Sequence, residues 1–142
     1  MARDLLALLD RGEAGLTHIL VVDDNRSVRA ALRVFLEEEG FEVQVACDFE
    51  AAARMLREAA YDVLITDLDL PGGNGFDLVR RARAFRPEMR SILVTGYGCS
   101  ALRRQAAELD LLGYLEKPVD PFTLLSLVRA RETPLGEGRH AQ

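Results

Sequence analysis

The sequence predicts an α/β fold with a parallel sheet, and two observations carry that prediction. Five short apolar runs alternate with helix-like stretches between about residues 18 and 131; strand–helix alternation with short loops gives parallel strands joined by crossovers. The third run, DVLIT, is nearly all apolar in VLI, as expected of a central strand covered on both faces. Right-handed crossovers then restrict the topology further.

In order, the first strand is His18–Val22 and its helix runs from about Ser27 to Glu39. Val28, Leu32, Phe35 and Leu36 form the buried stripe of that helix at helical spacing, and Gly40 ends it. Phe41–Ala46 alternates as a short strand. Asp48 caps a helix that turns Ala51, Met55 and Leu56 inward. Tyr61–Thr66 is the third strand. The loop DLDLPGGNG follows, and Gly75 leads into a helix with Phe76, Val79 and Ala82 inward. Pro87 punctuates before the fourth strand, Ser91–Val94. The loop TGYGCS then precedes a helix around Ala101–Leu109. Gly113–Glu116 is the fifth strand, and Pro121, behind an Asp120 cap, opens a last helix to about Arg131.

A chain of 142 residues suits one domain with one core. Residues 18–131 form that domain. Residues 1–17 are expected to be an extension with a short amphipathic helix, and 132–142, with Pro and two Gly, a flexible tail. The extension carries Leu5, Leu6, Leu8 and Leu9 between Asp4 and Asp10, which lacks the basic start and longer apolar segment of a secretory signal. No run approaches the ~20 apolar residues of a bilayer span. The formal charge of −5 argues against a nucleic-acid surface. Cys47 and Cys99 make neither a metal spacing nor a disulfide framework; reduced thiols in a cytoplasmic protein are the expectation.

Chemistry gathers where the runs stop. Asp23 and Asp24 follow HILVV, Asp67 follows DVLIT, Thr95 closes SILV, and Lys117 follows GYLE. In a parallel sheet these ends emerge at one edge, where open α/β sheets bind ligands. Taken singly, each has an ordinary explanation: a helix cap, a turn residue, a solvated lysine, a strand-end threonine. Together, carboxylates facing a lysine and a hydroxyl suit Mg²⁺ and a phosphoryl group. Asp67 is the candidate nucleophile, and crowded carboxylates raise one another's pKa unless a cation is near.

With Asp23-Asp24, Asp67 followed by Pro71 and Gly75, Thr95-Gly96 and Lys117-Pro118 in order over about residues 18–131, the chain resembles a response-regulator receiver domain of two-component signalling. The resemblance implies a doubly wound, flavodoxin-like sheet of order 2-1-3-4-5 flanked by five helices. It implies phosphorylation of Asp67 by a sensor histidine kinase or a histidine phosphotransfer protein. Asp24, Asp67 and the Asp69 main-chain carbonyl are the expected Mg²⁺ ligands, with Asp23 acting through water. Thr95, the Gly96 N–H and Lys117 would meet the phosphoryl oxygens. Thr95 and Tyr114 would act as the switch, and Asp69 and Tyr97 would flank the route of the hydrolytic water. Such a domain is not an enzyme for other substrates; its chemistry is its own phosphorylation and dephosphorylation.

Output is expected through a downstream protein target, without direct contact to nucleic acid or membrane. Arg26, Ala30, Arg33 and Glu37 offer a docking face for the kinase. Arg103, Arg104, Glu108, Glu116 and Leu124 offer a candidate switch face, and the N-terminal leucines offer cover for a core edge or a homodimer contact. Alternative readings are an adapter that keeps the fold without phosphorylation and a haloacid-dehalogenase-type phosphatase suggested by Asp67-x-Asp69. The latter lacks room for a cap domain. A flavin-binding flavodoxin shares the topology, but the loop DDNRS would repel a flavin phosphate.

Overall fold

A computed structural model describes residues 16–130. The expected tail, and all of the expected extension except Leu16 and Thr17, lie outside the described residues. Five strands, β1 (His18–Val22), β2 (Glu42–Ala46), β3 (Val63–Asp67), β4 (Arg90–Thr95) and β5 (Gly113–Glu116), form one sheet in the order β2-β1-β3-β4-β5. Every pairing is parallel. The expected order is therefore present. The helices are α1 (Arg26–Glu38), α2 (Phe49–Glu58), α3 (Gly75–Phe85), α4 (Ser100–Ala107) and α5 (Pro121–Ala130).

Alternate residues of the central strands feed two cores. Leu20, Val22, Leu64 and Leu93 meet Ala52 and Leu56 of α2, Phe76, Leu78, Val79 and Ala82 of α3 and Ala106 of α4. Ile19, Val21, Val63, Ile65, Ile92 and Val94 point the other way, toward Leu36 of α1 and Leu124, Leu125 and Val128 of α5. Burial on both faces explains why Ile19–Val22 of β1 and Val63–Ile65 of β3 are apolar throughout. Each fully buried side chain of this kind contributes about 1.5–3 kcal/mol.

The helix starts follow local chemistry. Asn25, rather than either aspartate before it, caps α1 by accepting from the Val28 N–H at 3.0 Å. Asp48 caps α2 through the Ala51 N–H at 2.8 Å, and Asn74 caps α3 through the Asp77 N–H at 3.0 Å. Asp120 accepts from the Thr123 N–H at 3.0 Å at the start of α5. Gly40 takes φ 99° just past α1, a conformation that a Cβ disfavours.

Four expectations change. The third strand begins at Val63 rather than Tyr61 and extends to include Asp67, which pairs in register with Val94. The stretch DLDLPGGNG is not simply a loop: Asp69–Leu70 and Gly73–Asn74 pair antiparallel, and Gly72 in the turn takes φ 90°. Pro71-Gly72 is a turn signal that the sequence does carry. In α1 only Leu36 is fully buried, while Val28, Leu32 and Phe35 are half-buried. They line a groove between α1 and the start of α5, so the stripe exists but its cover is incomplete. Leu124 is fully buried in the second core and belongs to no surface, because α5 turns Leu124, Leu125 and Val128 toward the sheet.

Candidate functional site

The ends of β1, β3, β4 and β5 bring the singled-out residues to one edge of the sheet. Asp23 follows β1 and is buried; Asp24 beside it is exposed. Asp67 closes β3 and is 7% exposed. One carboxylate oxygen from each of these three aspartates lies within 4.8 Å of the others. Lys117, just past β5, places Nζ 2.9 Å from Asp67 Oδ2 and 2.9 Å from Asp23 Oδ2. The lysine thus bridges two carboxylates.

The surrounding backbone fixes this arrangement. Asp23 Oδ1 accepts from the Asn25 N–H at 2.8 Å, and Arg29 donates to the Asp23 carbonyl at 2.9 Å. The role of Arg29 was not legible in the sequence, since an arginine one turn into a helix is ordinary. Asp67 Oδ1 accepts from the Asp69 N–H at 3.3 Å. The Gly75 N–H donates to the Leu68 carbonyl at 2.7 Å, folding the Asp69–Asn74 hairpin back beside the acceptor. The Lys117 N–H donates to the Thr95 carbonyl at 2.8 Å.

Electrostatics follow from burial and crowding. Burial pushes the Asp67 pKa up; Lys117 opposes the shift through its hydrogen bond and charge, and Asp23 adds to it, leaving the carboxyl above its ordinary value. Burial alone would lower Lys117, but its hydrogen bonds to Asp67 and Asp23, with their charges, raise it overall. The Asp67 shift thus reflects chiefly its burial, and the Lys117 shift the two carboxylates that it bridges.

Not every expected residue joins the cluster. The buried Thr95 hydroxyl donates to the Tyr97 carbonyl and accepts from the Tyr97 N–H at 3.2 Å, so it is engaged within its own loop. A Cβ on Gly96 would meet nothing within 4 Å, so crowding does not require glycine there. Asp69 is exposed and accepts from the Tyr97 hydroxyl; the Asp69 charge and this bond raise the phenol pKa. Tyr97 itself is 62% exposed. Tyr114 is half-buried and turned under the loop: a Cβ on Gly98 would stand 3.6 Å from its hydroxyl. That hydroxyl is enclosed with no hydrogen-bond partner among the described residues, and burial raises its pKa. Arg26, Ala30, Arg33 and Glu37 are exposed, as are Arg103, Arg104, Glu108 and Glu116.

An open parallel sheet of this order, with buried carboxylates and a lysine at its C-terminal edge, defines a class of signalling domain. A family profile described as the response regulator receiver domain matches residues 19–129, and the chain belongs to that family. It is 34% identical over 110 residues to the DNA-binding transcriptional regulator NtrC of Azospirillum brasilense, covering 78% of this chain and 23% of that protein. The chain therefore spans under a quarter of that relative. Among solved structures, a CheY-like receiver domain protein from Methanospirillum hungatei aligns with TM-score 0.78 and 29% identity, over 82% of this chain and 94% of that one. A response regulator from Burkholderia pseudomallei, described with a phosphorylated aspartic acid, calcium ion and citrate, aligns with TM-score 0.72 and 27% identity, over 82% and 73%. Among the described residues, no helix is long and apolar enough to cross a membrane.

Proposed function

We propose that this receiver domain accepts a phosphoryl group on Asp67 from a phosphohistidine of a sensor histidine kinase or a histidine phosphotransfer protein. The observation that carries the reading is the buried Asp67 carboxylate, held by Lys117 at 2.9 Å beside two further aspartates. In the transfer an Asp67 carboxylate oxygen bonds to phosphorus. The phosphorus–nitrogen bond of the donor breaks, and its electron pair leaves with the imidazole. Lys117 holds Asp67 in place at rest and pairs with phosphoryl oxygens afterwards.

The donor set fits a hard divalent cation, since three carboxylate oxygens converge and Asp67 is driven toward its neutral form without one. Asp24, Asp67 and the Asp69 carbonyl would hold Mg²⁺, with Asp23 acting through water. When bound, Mg²⁺ supplies the positive charge that balances carboxylate and phosphoryl oxygens.

Thr95 serves as the responding group. Its hydroxyl leaves the Tyr97 main chain to donate to the phosphoryl group, aided by the Gly96 N–H. The loop from Tyr97 to Cys99 moves with it over Tyr114, and the balance of Tyr114 orientations shifts. Asp69 and Tyr97, bonded across the mouth, tune access of the hydrolytic water. Output is a change in contacts with a downstream protein in the cytoplasm, without direct nucleic-acid contact and without an enzymatic step on another substrate.

The test is intact mass after incubation with Mg²⁺ and a small acyl-phosphate donor. One added phosphoryl group is expected, absent from Asp67→Asn and from a metal-free sample. An adduct that survives Asp67→Asn, or none in the unaltered protein, overturns the assignment and favours a phosphorylation-independent adapter.

A further inference from the structure

The three aspartates of the cluster are not held alike. Lys117 lies 2.9 Å from Asp23 and 2.9 Å from Asp67. Asp24 is exposed and, among the described residues, nothing donates a hydrogen bond to its carboxylate or pairs with its charge. Its direction depends instead on the peptide groups that flank it. The following one is fixed where the Asn25 N–H donates to Asp23 Oδ1 at 2.8 Å. The preceding one is fixed where the Arg29 guanidinium donates to the Asp23 carbonyl at 2.9 Å. A residue has two soft backbone dihedrals, so holding the peptide planes on both sides of Asp24 sets the direction of its Cα–Cβ bond.

Arg29 is itself anchored. Its main-chain N–H donates to the Asn25 carbonyl at 3.1 Å, and Asn25 caps α1 through the Val28 N–H at 3.0 Å. The first turn of α1 is thereby tied to the loop, and the half-buried Arg29 side chain reaches back from it past Asp24. At the other end of the loop, the Asp23 N–H donates to the Ala46 carbonyl at the end of β2, at 3.2 Å.

We propose that Arg29 is a positioning residue for the divalent cation: by holding the Asp23 carbonyl, it aims the Asp24 carboxylate into the cluster. Mg²⁺ demands near-ideal octahedral geometry, so a ligand free to swing costs affinity. The inference rests on the reading that Mg²⁺ binds at Asp23, Asp24 and Asp67. Charge alone would act with the opposite sign, because a guanidinium near the site repels a cation. Loss of Arg29 therefore weakens binding through lost positioning and would tighten it through lost charge, and the sign separates the two.

Mg²⁺ titrations of the full chain, followed by amide NMR shifts, test this. Arg29→Met keeps the apolar stem and removes the donor. It should raise the Mg²⁺ Kd roughly tenfold, in the range usual for residues that orient metal ligands. Arg29→Gln, too short to reach the carbonyl, should repeat the loss, and Arg29→Lys, which keeps a charged donor, should restore part of it. In an Asp24→Asn chain, Arg29→Met should make no further difference, because the ligand that Arg29 positions is gone. A residue that only stabilised the fold would lower the metal-free melting temperature and leave the Kd alone. Equal or tighter binding in Arg29→Met and Arg29→Gln overturns the proposal, as does an equal loss in the Asp24→Asn chain. No saturable Mg²⁺ binding by the unaltered protein would overturn the cation reading itself, and the inference with it. Saturable binding there keeps the two failures distinct.

Discussion

At the scale of single residues, the site is a compromise between function and stability. Asp67 is held above its ordinary pKa chiefly by burial, with Asp23 adding to the effect. The sign of the pH dependence follows. A carboxyl whose folded pKa exceeds its unfolded value costs stability when ionised, so the metal-free protein gains stability as pH falls from neutral through the folded pKa. Lys117, raised from 10.5, contributes stability throughout the neutral range and loses it only as pH rises through its folded pKa. Asp67→Asn should therefore melt higher than the unaltered protein at pH 7 without metal, and its melting temperature should depend less on pH. Excess Mg²⁺ should narrow the gap. A lower melting temperature in thermal scans would contradict this account of the site. Tyr97 works differently: its ring is exposed and tethered to Asp69 rather than buried. If it screens the phosphoryl group from water, Tyr97→Ala should shorten the phosphate lifetime several-fold while leaving the melting temperature nearly unchanged, as is usual for surface changes. An unchanged decay rate in a mass time course would remove Tyr97 from the tuning role.

Elements position these residues through a few tight approaches, and the two glycines of the site differ sharply in that respect. A Cβ on Gly75 would lie 2.7 Å from the Asp67 carbonyl oxygen, 2.7 Å from Leu93 and 3.0 Å from the Leu68 Cα. Two of those atoms are backbone, so β3 or α3 would have to move. Gly75→Ala should cost about 1–3 kcal/mol in denaturant unfolding and slow acceptance of phosphate, because the moving backbone carries Asp67. Gly96→Ala meets open space and should leave stability nearly unchanged. Any loss of adduct in that variant would then report on contact with the phosphoryl group. Matched unfolding curves for the two variants would show that helix α3 does not clamp the acceptor as the distances indicate.

Over the whole molecule, the strands and the edge that carries the chemistry were legible because they depend on local pattern, whereas the strand order came with the resemblance to receiver domains. Apolar runs of strand length, a polar residue at each end, and caps such as Asp48 and Asp120 are written within a few neighbouring residues. The β1 and β5 bounds came out as read, and Asp23, Asp67 and Lys117, at the ends of β1, β3 and β5, meet at one edge of the sheet. What the sequence did not reveal depends on how helices rotate and how side chains meet across long separations. Leu124 turned inward because α5 shares its face with Leu125 and Val128, whereas its neighbours alone could not say which side met the sheet. The α1 stripe was visible at its spacing, but its partial cover is set by the distance between two helices about ninety positions apart in the chain. Lys117 chose two carboxylates because β1 lies beside β3, and Thr95 spent its hydroxyl on Tyr97 because the loop after β4 curls back. Sequence by itself determined which chemical groups reach the edge of the sheet, since strand period and punctuation are local. Only the tertiary structure decided which of them touch, since contact distances depend on packing among elements that the chain brings together from far apart.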